Sequence, residues 1–382
     1  MFPHISSTLR TLTAAMLLAV GTSAMGETIG TLTYDLNAST LKATVTGYTS
    51  APAGTLTIPA TVTAADGKNY SVTTVGANAF RDTDITALVL PTSVTTINAS
   101  AFEGCSKLAA LNLDVATVYQ HAFKSCTALK TLTVSVKTRL SSGVFENCCG
   151  LETTTINALP ATYYTSIFAG CTGTLVINNW SDNYGISSRN PINGAAFTTI
   201  DYKAASVVGC IGYNMPHLTT VNLYSPTSVS YSMALLSNCP NVKDINVVGT
   251  SSVLRSVDGV TYRVNGSALT MYYYPEGKAY CQLPAEVTGI GAYFAGPATG
   301  KVIPATFDLS LLTRSISIQQ PTSGAGFRPA VVLNPMGHDL SYFNGEGTEI
   351  ITVAPALEGD VNSDGKVNMY DIDKVRHAIL QQ

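Results

Sequence analysis

The chain has 382 residues, 46% of them hydrophobic and only 12% charged, so it is either two domains or one elongated array with a substantial core. A net charge of −3 without a basic stripe argues against nucleic acid as a partner. Thr, Ser and Asn carry the polarity that Lys and Glu carry elsewhere, which suits strands and turns better than long surface helices.

In chain order, the first feature is a secretory signature. Arg10 precedes the apolar run Leu12 to Val20, which closes on the small residues Thr22, Ser23 and Ala24. Residues 1–24 are therefore expected to be a signal peptide, with cleavage after Ala24 or Gly26. The run falls short of the roughly 20 apolar residues of a membrane span. No later stretch is longer, so no transmembrane span is expected. Export to the cell surface or beyond follows, with the periplasm as the alternative.

Self-similarity then dominates. AFEGCSKLAALNL (Ala101 to Leu113), AFKSCTALKTLTV (Ala122 to Val134) and VFENCCGLETTTI (Val144 to Ile156) share one template: Phe as anchor, Cys at +3, Leu at +6, and core positions at +9 and +11. The anchors Phe80, Phe102, Phe123, Phe145 and Phe168 are 22, 21, 22 and 23 residues apart. Five residues before them stand Val75, Ile97, Val118, Leu140 and Tyr163. The pair at +9 and +11 reads as a short strand of period two, and stacked repeats would align these strands in one parallel sheet. A single unit cannot fold alone and needs neighbours that share its core. Slips occur: Leu88/Leu90 arrives one residue early, Leu175/Ile177 two early, and Thr154 is a polar occupant of a core slot. Asn178 to Ala196 diverges; the template returns at Leu218, Val221 and Leu223, then at Leu236, Cys239, Val242, Ile245 and Val247.

These residues resemble the BspA-like leucine-rich repeats of bacterial surface proteins. Gly30 to Val62 looks like the hairpin cap that opens such arrays, and Val257 to Lys278 like the family's late hairpin. Leu283 to Gly296 is similar to a following repeat, with Ile290 four rather than five residues before Phe294. The resemblance implies a mainly β leucine-rich-repeat solenoid, with one parallel strand per repeat of about 22 residues and an N-terminal β-hairpin cap, to which the C-terminal tail adds a short calcium-loop helix of its own. The expected divisions are 1–24 signal peptide, 27–75 cap and first strands, 76–296 solenoid, 297–357 divergent β-rich segment and linker, and 358–382 calcium-binding segment. Residues 297–353 do not fit the template and read either as degenerate repeats or as a small β cap over the last open edge.

Cys105, Cys126, Cys148, Cys171 and Cys239 share one slot, which favours a buried ladder of small side chains over the disulfides otherwise expected of an exported chain. No C-x-x-C pair for zinc is present, nor a G-x-S-x-G elbow, an H-E-x-x-H helix or a P-loop, so no catalysis is expected. His121 and His217 adjoin repeat positions and read as scaffold. The outward strand positions, among them Asn112, Thr133, Asn222, Tyr224 and Asn246, form a neutral hydrogen-bonding face that either receives a macromolecular ligand, a host protein or glycan, or is merely solvated. Trp180 with Tyr184 is either a stacking platform for the same ligand or the plug of an irregular loop.

The tail is specific in another way. DVNSDGKVNMYD places oxygen ligands at loop positions 1, 3, 5 and 12, namely Asp360, Asn362, Asp364 and Asp371, with Gly365 at the sharp turn. Lys366 would give its carbonyl and Asn368 would act through water, which makes calcium the expected cofactor. Ile372, Val375 and Ile379 mark one face of a short helix. The segment resembles a single calcium-binding repeat of a type I dockerin, which implies a cohesin-like partner. A dockerin, however, normally carries two repeats, and loop positions 10 and 11 are here Met369 and Tyr370. The sequence therefore points to an exported adhesion or binding protein, or alternatively to a structural subunit tethered through its tail.

Overall fold

The computed structural model describes residues 26–158, 162–178, 192–207, 211–229, 235–291, 302–318, 328–340 and 348–351. Among these residues every regular element is a strand, and the chain winds as a parallel β-solenoid. The signal-peptide residues, Trp180, Tyr184 and the whole segment 352–382, including the expected calcium loop and helix, lie outside the described residues.

The array opens on an antiparallel meander of Gly26–Ile29, Leu32–Asn37 and Lys42–Tyr48. Its last strand pairs in parallel with Asn69–Val75, which starts the coils, so the expected cap is present. From there two parallel sheets run along the solenoid. One continues through Thr96–Ile97, Thr117–Val118, Arg139–Leu140 and Thr162–Tyr163. Its inward residues are those five before each anchor, all buried. The other sheet has seven strands, Ala110–Leu113, Thr131–Ser135, Thr153–Ala158, Thr174–Ile177, Thr199–Tyr202, Thr220–Tyr224 and Asp244–Val248.

Between the sheets the five Phe anchors stack with centroids 5.1–5.8 Å apart and planes 10–18° from parallel. Tyr48 of the cap closes the near end of this stack at 6.1 Å. Burying one ring per coil over the next removes the largest apolar surface the repeat has. The chain bends sharply on both sides of each anchor. Asn78, Ser100, His121 and Ser166, two residues before, and Asp82, Ser125 and Asn147, two after, all have φ between 55° and 60°. Asn, Asp, Ser and Gly tolerate this left-handed region best, which explains the small polar residues that frame each Phe. His121 is thus a turn residue, as its position suggested.

The slot cysteines are free and buried. Their thiols do more than fill space. Sγ of Cys105, Cys126, Cys148 and Cys171 each donates to the carbonyl of the anchor one coil earlier, Phe80, Phe102, Phe123 and Phe145, at 3.1–3.4 Å. In the first coil Thr83 fills the slot and gives its hydroxyl to Phe80 O at 2.8 Å. In these first coils the position holds a small side chain with a donor. Burial pushes the thiols of Cys105 and Cys171 up from the ordinary value, and that of Cys239 to about 11.

The divergent stretch returns to the coil at Ile192, whose carbonyl accepts from Ala195 N at 3.0 Å as that of Phe168 does from Cys171 N. Ile192 and Ala195 thus replace Phe and Cys. In the next coil the template places the anchor at Gly212, with Met215, Leu218, Val221 and Leu223 behind it. A Cβ on Gly212 would stand 2.7 Å from Leu236 Cδ2, so the following coil's Leu anchor fills the space a side chain would take. The slip after Phe168 has a similar cause. Gly173, at φ 82°, presses against the carbonyls of Leu151 and Glu152, where a Cβ would lie 2.5 and 2.4 Å away, and this tight corner shortens the coil.

Beyond the seven-stranded sheet, Leu254–Val257, Val260–Asn265 and Ala268–Tyr273 form the expected late antiparallel hairpins. The stretch that resisted the template is not a separate cap in its described parts. Tyr280–Gln282, Val302–Asp308, Arg328–Leu333 and Glu349–Ile351 form a four-stranded parallel sheet, and Val287–Ile290 pairs in parallel with Ser317–Ile318. These are further coils around a second core that includes Tyr262, Met271, Tyr274, Phe307 and Leu312.

Candidate binding surface

The outward side chains of the seven-stranded sheet stand in straight rows, because parallel strands paired without offset repeat each position along the solenoid axis. One row is Asn112, Thr133, Thr155, Val176, Asp201, Asn222 and Asn246, each the register partner of the next. The row beside it is Ala110, Thr131, Thr153, Thr174, Thr199, Thr220 and Asp244, with five consecutive threonines. Four of the residues singled out from sequence, Asn112, Thr133, Asn222 and Asn246, therefore share a single row, and Tyr224 lies two residues further along its strand on the same face.

The amides are locked together. Asn246 Nδ2 donates to Asn222 Oδ1 at 3.1 Å, and Asn222 Nδ2 donates to Asp201 Oδ1 at 2.8 Å. A second chain runs from Asn178 Nδ2 to Asn157 Oδ1 at 2.8 Å and from Asn157 Nδ2 to Ser135 Oγ at 3.0 Å. Asn222 and Asn157 each spend one donor and one acceptor on their neighbours, Asn246 and Asn178 one donor each, and the amides' remaining sites are available to a ligand. Lys203 Nζ lies 5.4 Å from the centroid of the Tyr224 ring and places a cation at the edge of the same face.

Asp201, Lys203, Asn157 and Asn178 were not among the residues singled out. The alternation Ile200/Tyr202 could have found the first two, but it follows the divergent stretch, where the template breaks off. Trp180 and Tyr184 lie outside the described residues, as do Asp360, Asn362, Asp364, Lys366, Asn368 and Asp371. Among the described residues no group of three or more His, Cys, Asp or Glu could hold a metal ion. No helix among them is long and apolar enough to cross a membrane.

Residues 68–175 match the BspA type leucine-rich repeat region in six copies. No curated protein matches the chain. Among solved structures, a leucine-rich cell surface protein from Faecalibacterium prausnitzii is 22% identical over 78% of this chain and 73% of its own, with a TM-score of 0.40. A leucine-rich repeat protein from Bacteroides capillosus is 34% identical over 28% of this chain and 81% of its own, at a TM-score of 0.27. One from Bacteroides ovatus is 17% identical over 85% and 99%, at 0.32. Residues 68–175 thus form a BspA-type leucine-rich repeat region within the longer parallel solenoid.

Proposed function

We propose that this chain is an exported, non-catalytic adhesion or binding protein that presents its seven-stranded sheet to a macromolecular ligand, a host protein or a glycan. The observation that carries this reading is the pair of rows, Thr131 to Thr220 and Asn112 to Asn246, in which hydroxyl, amide and carboxylate side chains line up along the sheet with Val176 as the one apolar interruption. Such a face matches polar surfaces rich in hydroxyls and amides, and its stacked amides are already ordered, so less side-chain freedom is lost on binding. The Faecalibacterium protein is a cell surface protein, and a signal peptide at residues 1–24 would carry this chain toward the same location. A glycan and matrix-protein array probed with the mature chain tests the proposal. Binding should survive deletion of residues 358–382 and fall with Asn222→Leu combined with Thr220→Leu. Binding unaffected by that double substitution would overturn it.

The calcium-loop sequence favours a second role for the tail. Asp360, Asn362, Asp364 and Asp371, with the Lys366 carbonyl and Asn368 through water, make an all-oxygen donor set suited to calcium. In this reading one ion orders a short helix, and the helix tethers the chain to a cohesin-like partner or to a larger complex. Calorimetry on the mature chain should show one calcium per molecule, weakened strongly by Asp364→Ala. No heat at millimolar calcium would exclude the ion.

A further inference from the structure

The cations of the first coils follow a rule. Arg81 pairs with Glu103 at 3.2 Å, Lys107 with Asp84 at 2.8 Å, Lys124 with Glu146 at 2.9 Å, Lys130 with Glu152 at 2.8 Å and Lys137 with Asp114 at 2.8 Å. Each bridge joins a coil to its neighbour. Arg139 breaks the rule. Among the described residues no carboxylate lies within ion-pairing distance of it. Its guanidinium is instead set between two tyrosines, 5.4 Å from the centroid of Tyr119 and 5.0 Å from that of Tyr164.

This cluster sits on the outer face of the other sheet, away from the Thr and Asn rows. Thr117, Arg139 and Thr162 are register partners on three adjacent coils, and two positions on in the same coils stand the exposed Tyr119 and Tyr164 and the buried Ser141. One terminal nitrogen of Arg139 donates to Tyr164 Oη at 2.8 Å, and Nε lies 3.4 Å from Ser141 Oγ. The remaining guanidinium donors have no carboxylate to meet. Both rings hold the arginine and stay 37% and 38% exposed, so they remain open to a ligand. Three coils at the usual interstrand spacing of about 4.8 Å make a patch about 10 Å wide, the size of one or two sugar rings.

We infer that Tyr119, Arg139 and Tyr164, flanked by Thr117 and Thr162, form a binding site for a carboxylate-bearing saccharide. A carboxylate would take the free guanidinium donors in the paired geometry that arginine favours. The aliphatic face of a pyranose ring packs on an exposed tyrosine ring through the ring's negative quadrupole, and the threonine hydroxyls exchange hydrogen bonds with sugar hydroxyls. An acidic peptide fits less well. It would need a free strand edge or an apolar pocket, whereas Arg139–Leu140 is paired on both sides and its outward neighbours are hydroxyls. The site is independent of the reading given to the seven-stranded sheet.

Calorimetry on the mature full chain with trigalacturonate and 3′-sialyllactose, each against its neutral counterpart, trigalactose and lactose, tests the inference. At least one acidic sugar should bind about tenfold or more tightly than its counterpart, the change that a charge-assisted pair supplies. Arg139→Gln should remove this preference, and Tyr119→Leu should weaken the acidic sugar while Met336→Ala, an exposed position in the coils around the second core, leaves it unchanged. Melting curves and circular dichroism on each variant separate lost binding from lost folding, and Arg139→Lys should retain part of the preference. Three results would overturn the inference: no acidic sugar binding at millimolar concentration, wild-type affinity in a folded Arg139→Gln chain, or a hexa-aspartate peptide binding as tightly as the sugars.

Discussion

The coils from Phe80 to Phe168 and those from Val260 to Ile351 follow the same parallel path with different side chains inside. In the first region one aromatic anchor per coil stacks on the next with nearly parallel planes, and from the second coil on one thiol per coil bonds the carbonyl of the anchor before it. In the second region Tyr262, Met271, Tyr274, Phe307 and Leu312 make an irregular core, with Tyr274 and Phe307 tilted 51° at 4.9 Å. The two cores are separate clusters, with the late hairpins between them. Ladder hydrogen bonds are indifferent to side-chain identity, so a coil needs only apolar volume of about the right size to continue. Strict repetition is a property of the first region's packing and is not a requirement of the fold.

The largest test of this contrast is Phe123→Ala. It should destabilise the first region by roughly 3–5 kcal/mol, because a rigid stack of rings cannot close over the cavity. A melting curve identical to wild type would show the stack contributes nothing. Phe307→Ala should fall at the lower end of the same range, and hydrogen exchange should show the loss in the second core while the Phe stack keeps its protection. Protection lost equally in both regions would make them one cooperative unit.

The thiols offer a test by pH. Burial pushes Cys239, beyond the Phe stack, and Cys281, in the second core, from 9.0 to about 11. The unfolded chain releases these protons from about pH 9 upward while the folded chain keeps them until about pH 11. Stability present below pH 9 should therefore decline between pH 9 and 11. Denaturant melts across that window check the sign, and a Cys281→Ala chain should show a shallower decline. Thiol labelling at neutral pH should be prompt at the exposed Cys149 and slow at the slot cysteines.

Smaller effects sharpen the comparison inside the first region. Gly173→Ala forces a side chain into φ 82° against two carbonyls and should cost about 2 kcal/mol, read from the denaturation midpoint. Thr154→Val should act in the opposite direction. Thr154 is fully buried in register between Leu132 and Leu175, and its hydroxyl has no hydrogen-bond partner. Replacing that hydroxyl with a methyl of similar size should stabilise the chain by about 1 kcal/mol. An unchanged midpoint would mean the hydroxyl is satisfied by water.

The first five coils were legible from residue spacing, because each slot must present the same side chain to the same neighbour. The slot cysteines were legible as a ladder for the same reason, though their hydrogen bonds to the anchor carbonyls were not, since the partner lies a full coil away. Gly212 and Ile192 were missed as anchors because a template built on Phe cannot recognise a slot filled by the next coil's Leu236 or by a β-branched residue. The outward rows were half visible: alternation identifies which residues face outward, and Asn112, Thr133, Asn222 and Asn246 were found that way.

By itself, the sequence determined the repeat, its period and the buried faces, since these follow from periodicity along the chain; the capping hairpins were visible through the family resemblance. Only the tertiary structure decided that residues beyond 301 return to coils, that Asn246, Asn222 and Asp201 form one bonded chain, and that Arg139 lies between Tyr119 and Tyr164. These facts depend on which coil stacks on which and in what register. Residues 20 or more apart become neighbours only when ladder hydrogen bonds bring successive coils within about 5 Å of one another.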